Sequence, residues 1–235
     1  MNLVLVAHGT RKQSGVALIA DLAAQVSATL ERPVRVAFVD VLGPTPAEVL
    51  GTFRREPTVL VPAFLASGYH VRVDIPAHIA TSGHGDVVVT RALGPDPALI
   101  RVLVDRLVES GWRTDDSVIL AAAGTSDRRA MRDLHTTATW LSATLGTRVE
   151  LAFAATGEPR IADAVTALRR PGGRVAVASY LLSDGLFQDR LRASGADVVT
   201  DPLGTHPGIT RLIANRFRRA GFDSECAPAL TQFRR

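Results

Sequence analysis

Cysteine is nearly absent from this 235-residue chain: Cys226 stands alone. No disulfide can form within the chain, and no cysteine-based zinc site can be assembled. In its polar, proline-containing surroundings Cys226 reads as a plain unpaired thiol. Lysine is as scarce, with Lys12 the single lysine among 27 basic residues. The net charge of +4 and the pI of 10.1 therefore come from arginines. These are scattered rather than clustered, which argues against nucleic-acid binding. No apolar run approaches the roughly 18–20 residues of a membrane span. No basic segment precedes the first apolar run and no small-residue cleavage site follows it, so neither a signal peptide nor a membrane anchor is expected, and the cytoplasm is the expected location. Glycines are too dispersed for a dinucleotide fingerprint, and no Gly-Lys-Ser/Thr phosphate loop occurs.

What is present is a soluble-protein composition, 46% apolar and 21% charged. Short β-rich runs at 3–7, 34–41, 58–61, 86–90, 117–121, 149–153, 174–178 and 197–200 alternate with helically spaced segments. Those fall at 14–30, 46–53, 76–82, 97–110, 129–145, 159–168, 187–194 and 207–220. Strands alternating with helices predict an α/β fold with parallel sheets.

The chain also repeats itself. Val6-Ala7-His8-Gly9-Thr10 resembles Ala121-Ala122-Ala123-Gly124-Thr125, and Ala37-Phe38 resembles Ala152-Phe153. Phe64-Leu65-Ala66-Ser67-Gly68 resembles Tyr180-Leu181-Leu182-Ser183-Asp184-Gly185 with one inserted residue. The expectation is two similar domains, 1–113 and 114–221, each a mostly parallel four-stranded sheet with flanking helices. They would face each other across a cleft and be followed by a tail, 222–235. The tandem build already supplies two lobes, so a monomer is expected.

The repeat acts as an internal control: residues kept in both halves are architectural, and residues that differ are candidates for chemistry. Gly9 and Gly124 are kept, as a tight strand-to-helix turn requires. His8 becomes Ala123, His70 becomes Phe187 and Asp40 becomes Ala155. His8, Asp40 and His70 each follow a strand of the first half, and parallel sheets bind ligands beyond the carboxyl ends of their strands. A pair of imidazoles there suits Fe²⁺, Co²⁺ or Ni²⁺, and neutral histidine also accepts protons. Asp74 is four residues beyond His70. Because Pro76 belongs in a first helical turn, Asp74 reads as an N-cap, with a role in orienting His70 as the alternative. His78, His84, His135 and His206 read as ordinary structural residues.

His8-Gly9-Thr10-Arg11, together with Gly68-Tyr69-His70-Val71-Arg72-Val73-Asp74-Ile75-Pro76, resembles class II chelatases of the sirohydrochlorin chelatase type. The resemblance covers both halves, as in tandem members of that family. It implies a tetrapyrrole held between the domains and His8 and His70 as the catalytic, metal-holding pair. Asp40, the third catalytic residue so implied, would supply compensating negative charge and stands where the family usually carries glutamate, one methylene longer. The same motifs offer Arg11, Lys12, Ser67, Gly68, Tyr69 and Arg72 for substrate contact, the cations pairing with carboxylates. The implied reaction is insertion of a divalent metal, Fe²⁺ first, into sirohydrochlorin, with no cofactor beyond the metal substrate. Three other readings stay open. One is Co²⁺ or Ni²⁺ insertion for cobalamin-type cofactors, another a non-catalytic tetrapyrrole or metal carrier, and the third an unrelated small-molecule site.

Overall fold

The structure, a computed structural model, describes residues 1–10, 12–53 and 56–225. Arg11 and Cys226, both named above, lie outside the described residues. Two four-stranded parallel sheets are present. The first joins β1 (Asn2–Ala7), β2 (Val34–Phe38), β3 (Thr58–Pro62) and β4 (Val87–Val89) in the order β2-β1-β3-β4. The second joins β5 (Ser117–Gly124), β6 (Val149–Thr156), β7 (Val175–Tyr180) and β8 (Val198–Val199) in the order β6-β5-β7-β8. The helices are α1 (Gln13–Leu30), α2 (Pro46–Gly51), α3 (Ile75–Ser82), α4 (Pro97–Glu109), α5 (Arg128–Leu145), α6 (Ile161–Leu168), α7 (Leu186–Arg192) and α8 (Pro207–Glu225). Among the described residues, every expected strand and helix has a counterpart. None of these helices is long and apolar enough to cross a membrane.

Central strands are buried on both faces, as the unbroken apolar runs of β3 and β7 require. The expected strand 34–41 stops at Phe38 because Val41 turns to a φ of 71°. That left-handed conformation is costly for a β-branched residue and incompatible with a strand. α8 runs to Glu225, past the expected boundary at 220.

Sheet register refines the repeat. Asn2 pairs with Thr58, and Ser117 with Val175. Carried forward, this equates Ala63 with Tyr180, Gly68 with Gly185, His70 with Phe187 and Arg72 with Asp189. The extra residues of the second half therefore lie before β7, not in the loop after it, which corrects the expected insertion.

The two halves are not independently packed lobes. α4, the last helix of the first half, packs on α5 and β7, and α8, the last helix of the second half, packs on α1 and β3. α4 and α8 also pack on each other. One apolar core accordingly runs through both halves, from Leu5 and Leu22 to Leu120, Leu203 and Phe217. Arg216 of α8 is 5% exposed and pairs with Asp96 at 2.9 Å. It also donates to the carbonyls of Ala92 and Leu93. Asp96 in turn caps α4 by accepting from the Ala98 N–H. Burial pulls the Arg216 pKa below its ordinary value, and the Asp96 carboxylate opposes that pull.

Removing one member of a buried ion pair strands the other charge, whereas replacing the charge with a matching apolar chain is milder. Asp96→Ala should therefore cost about 3–5 kcal/mol, and Arg216→Met clearly less. In both variants urea unfolding should remain a single transition by tryptophan fluorescence and circular dichroism. Two separated transitions would contradict the shared core.

Candidate active site

β1 ends at Ala7, and the chain must turn at once into α1. Gly9 makes that turn at a φ of 98°, where any Cβ would strike the carbonyl of Asp40. Gly124 repeats the device in the second half, against the backbone of Thr156. The turn leaves His8 exposed at the carboxyl edge of the sheet. Its Nδ1 lies 3.0 Å from the Gly9 carbonyl. A carbonyl only accepts, so Nδ1 carries the proton and Nε2 carries the lone pair.

His70 reaches the same edge from β3. Residues His70–Asp74 form a π-helical turn that runs directly into α3. The Ile75 N–H bonds back to the His70 carbonyl, the i→i+5 pattern of such a turn. The Asp74 side chain makes no capping bond. Instead its Oδ2 lies 2.5 Å from His70 Nδ1. The N-cap assignment of Asp74 is thus corrected. Pro76 does not force the helical turns to begin at Asp74, because they start earlier with the wider spacing. The carboxylate fixes the His70 ring and leaves the lone pair on its Nε2 as well.

The His8 and His70 rings meet edge to face, with centroids 4.5 Å apart and planes at 89°. Phe64 stacks on His70 at 6.0 Å and 26°, and Tyr69 stands edge-on at 6.2 Å. The chain therefore brings together His8, His70 and Asp74. Asp40 stays apart. Its Oδ1 accepts from the Val41 N–H at 2.7 Å, and its backbone N–H donates to the His8 carbonyl. Among the described residues, no group of three histidine, cysteine or carboxylate side chains is placed to hold one metal ion. Exposed apolar side chains follow several strands at this end of the sheets: Val41, Tyr69, Val73, Leu186 and Phe187. His206, far from the pair, accepts from the Gly208 N–H at the start of α8, as a structural residue does.

Lys12 and Arg72, proposed for substrate contact, are already engaged with the second half. Lys12 Nζ lies 2.8 Å from Asp189 Oδ2. Arg72 Nη2 bonds Asp127 Oδ2, and its Nε donates to the Ser67 carbonyl at 3.2 Å. The two ion pairs are equivalent under the repeat. Lys12 and Asp127 are both N-caps, of α1 and α5, and Arg72 and Asp189 share a register. The first half carries the cation in both pairs and the second half the carboxylate. The Ser67 N–H donates to Asp133 Oδ2 at 2.8 Å, and Gly68 packs close to Ala130. Phe64, Asp127, Asp133 and Tyr180 had no signal in the sequence. Phe64 and Tyr180 appear there only as matched positions of the repeat, and the contacts of Asp127 to Arg72 and of Asp133 to Ser67 join residues distant in sequence.

Asp127 accepts from the Ala130 and Arg129 N–H groups and from Arg72, and these bonds hold its pKa below the usual carboxylate range. Its contribution to stability is then complete above the unfolded value of about 3.9 and is lost as pH falls through the lower folded value. Asp127→Asn keeps a capping oxygen but loses the charge. Thermal unfolding across acid pH should show a shallower acid limb in this variant than in the parent, with equal profiles counting against the ion pair.

Comparison with known proteins bears on the family and the fold. The CbiX family model matches the chain twice, over residues 2–110 and 117–220. A sirohydrochlorin cobaltochelatase of Methanothermobacter thermautotrophicus is 28% identical over 130 residues, covering 46% of this chain and 90% of that protein. The structure of SirB from Bacillus subtilis with Fe³⁺ superposes with a TM-score of 0.82 at 21% identity, covering 97% of this chain and 98% of that one. A CbiX structure described as the terminal enzyme of sirohaem biosynthesis in denitrifying bacteria gives 0.71 at 22% identity, over 94% and 99% of the two chains. Two matched units over most of the chain and the shared fold make one case: the chain belongs to the CbiX family, as a tandem form.

Proposed function

We propose that the chain inserts a divalent metal ion into sirohydrochlorin, with His8 and His70 as the catalytic residues. The observation that carries this reading is the pair of imidazoles 4.5 Å apart, each with Nδ1 engaged by an oxygen, so that the lone pair falls to Nε2. Two metal–nitrogen bonds of about 2.1 Å each fit such a pair. Among the described residues two protein donors converge, so the ion would keep open positions for the incoming macrocycle. That is what a transferable metal needs and a structural metal site avoids. The relatives support the substrate: one is named for cobalt insertion into sirohydrochlorin, and another for sirohaem biosynthesis.

The stoichiometry closes on the same two side chains. Insertion removes two N–H protons from the ring and releases the ion from two nitrogens. Each Nε2 that gives up the metal gains a lone pair able to take one proton. Asp74 stabilises the cation so formed on His70, and the Gly9 carbonyl does the same, more weakly, for His8. The compensating carboxylate is thus Asp74, with Asp40 at the rim. The apolar side chains at the sheet edge supply a surface for the flat ring. Sirohydrochlorin carboxylates would meet Lys12 and Arg72 only in competition with Asp189 and Asp127.

Iron and cobalt both suit imidazole donors. Fe²⁺ in a cytoplasmic enzyme is the first reading, and a Co²⁺ preference in direct competition replaces it. The alternative of a non-catalytic carrier predicts stoichiometric retention of the product without turnover.

The test is anaerobic mixing with sirohydrochlorin and Fe²⁺ or Co²⁺, followed by absorbance. His8→Ala and His70→Ala should each abolish multiple turnover. Undiminished rates in both would end the assignment. Asp74→Ala should lower affinity for Co²⁺ by about 10–100-fold, read from the absorption of the bound ion. Unchanged affinity would remove Asp74 from the site.

A further inference from the structure

The segment that delivers His70 is held by side chains of the second half as well as by bonds within its own half. We propose that Asp133 and Tyr180 are positioning residues for His70, so that the second half serves as the clamp of the metal site in the first. The inference rests on His8 and His70 being the metal pair.

Three attachments carry it. The Tyr180 hydroxyl donates to the Leu65 carbonyl at 2.9 Å. Asp133 Oδ2 accepts the Ser67 N–H at 2.8 Å. Asp127 holds Arg72, which itself returns to the Ser67 carbonyl. These fix residues 65, 67 and 72 on either side of His70. Tyr180 is 2% exposed, and burial pushes its phenol pKa upward, so it stays protonated and donates. The Thr137 hydroxyl lies 3.4 Å from the same oxygen. The approach is close: a Cβ on Gly94 would collide with both the Leu65 carbonyl and the Tyr180 hydroxyl.

The repeat shows that this clamp is one-sided. The position equivalent to Tyr180 is Ala63, and the position equivalent to Asp133 is Leu18, the sixth residue of α1 as Asp133 is of α5. Neither Ala63 nor Leu18 can offer such a bond to the matching loop of the second half, where Phe187 replaces His70. The Arg72–Asp127 pair has its counterpart in Lys12–Asp189, so the one-sided part of the clamp is the pair of bonds from Tyr180 and Asp133 to the loop that bears His70. A hydrogen bond to backbone on each side of a ligand-bearing turn limits the turn's freedom, which is how a metal ligand is held within the tolerance its chemistry demands.

The experiment uses the full-length chain with Tyr180→Phe, Asp133→Leu and Asp133→Asn. Tyr180→Phe removes only the hydroxyl. Asp133→Leu installs the residue of the other half, and Asp133→Asn keeps an acceptor oxygen. Co²⁺ alone is the first probe, titrated by absorption. Affinity should fall about tenfold in Tyr180→Phe and Asp133→Leu, with far-ultraviolet circular dichroism unchanged, and Asp133→Asn should restore it. In turnover, kcat should fall with the KM for sirohydrochlorin unchanged. Parent-level Co²⁺ affinity in both Tyr180→Phe and Asp133→Leu overturns the proposal, as does an Asp133→Asn variant no better than Asp133→Leu. Loss of native circular dichroism in Tyr180→Phe also overturns it, because the hydroxyl would then be serving the fold. A parent that binds Co²⁺ through His8 and His70 yet never metallates sirohydrochlorin defeats the functional reading alone.

Discussion

The site depends on the bond between His70 Nδ1 and Asp74. An imidazole has two nitrogens, and which one faces an ion is decided by what occupies the other. The π-helical turn sets Asp74 beside His70, and the carboxylate then commits the ring to a single orientation. His8 is committed in the same sense by a carbonyl one residue away. The two solutions differ in strength: a charged acceptor outweighs a neutral one. His70 is therefore the more firmly set of the two donors, and His8 the more easily released.

The exchanged helices explain how a first-half loop can be braced by second-half side chains. With α4 lying on β7 and α8 on β3, the halves share one core and cannot slide freely past each other. Contacts such as Tyr180 with Leu65 then join parts of one packed body. Such a body transmits position faithfully, because close-packed interiors deform little. The mouth of the site is different in character. Val41 at a left-handed φ and the exposed Tyr69 and Val73 are held by fewer neighbours, as would suit the proposed surface for a large flat ring.

Much of the fold was legible in the sequence because it follows from periodicity. Apolar runs marked the strands, and the doubled motifs marked the two units. His8 and His70 stood out because the second half lacks them. Three features were hidden, each for a physical reason. The apolar faces of α4 and α8 declare that the helices are buried, but not on which sheet. Pro76 pointed to a helix beginning at Asp74, because the rule for proline in a first turn says nothing of a wider turn ahead of it. Asp133 and Tyr180 act on residues distant in sequence, and a lone polar residue in an amphipathic helix looks like any solvated position.

The two ion pairs across the halves have matching places and opposite authorship, with Lys12 and Arg72 on one side and Asp127 and Asp189 on the other. Laid like against like, two first halves would set Lys12 against Arg72, and two second halves would set Asp127 against Asp189. At contact distance such an encounter costs about 1 kcal/mol in water and more where solvent is thinned. The tandem arrangement thus has a polarity: each unit recognises its unlike sibling and repels its own kind.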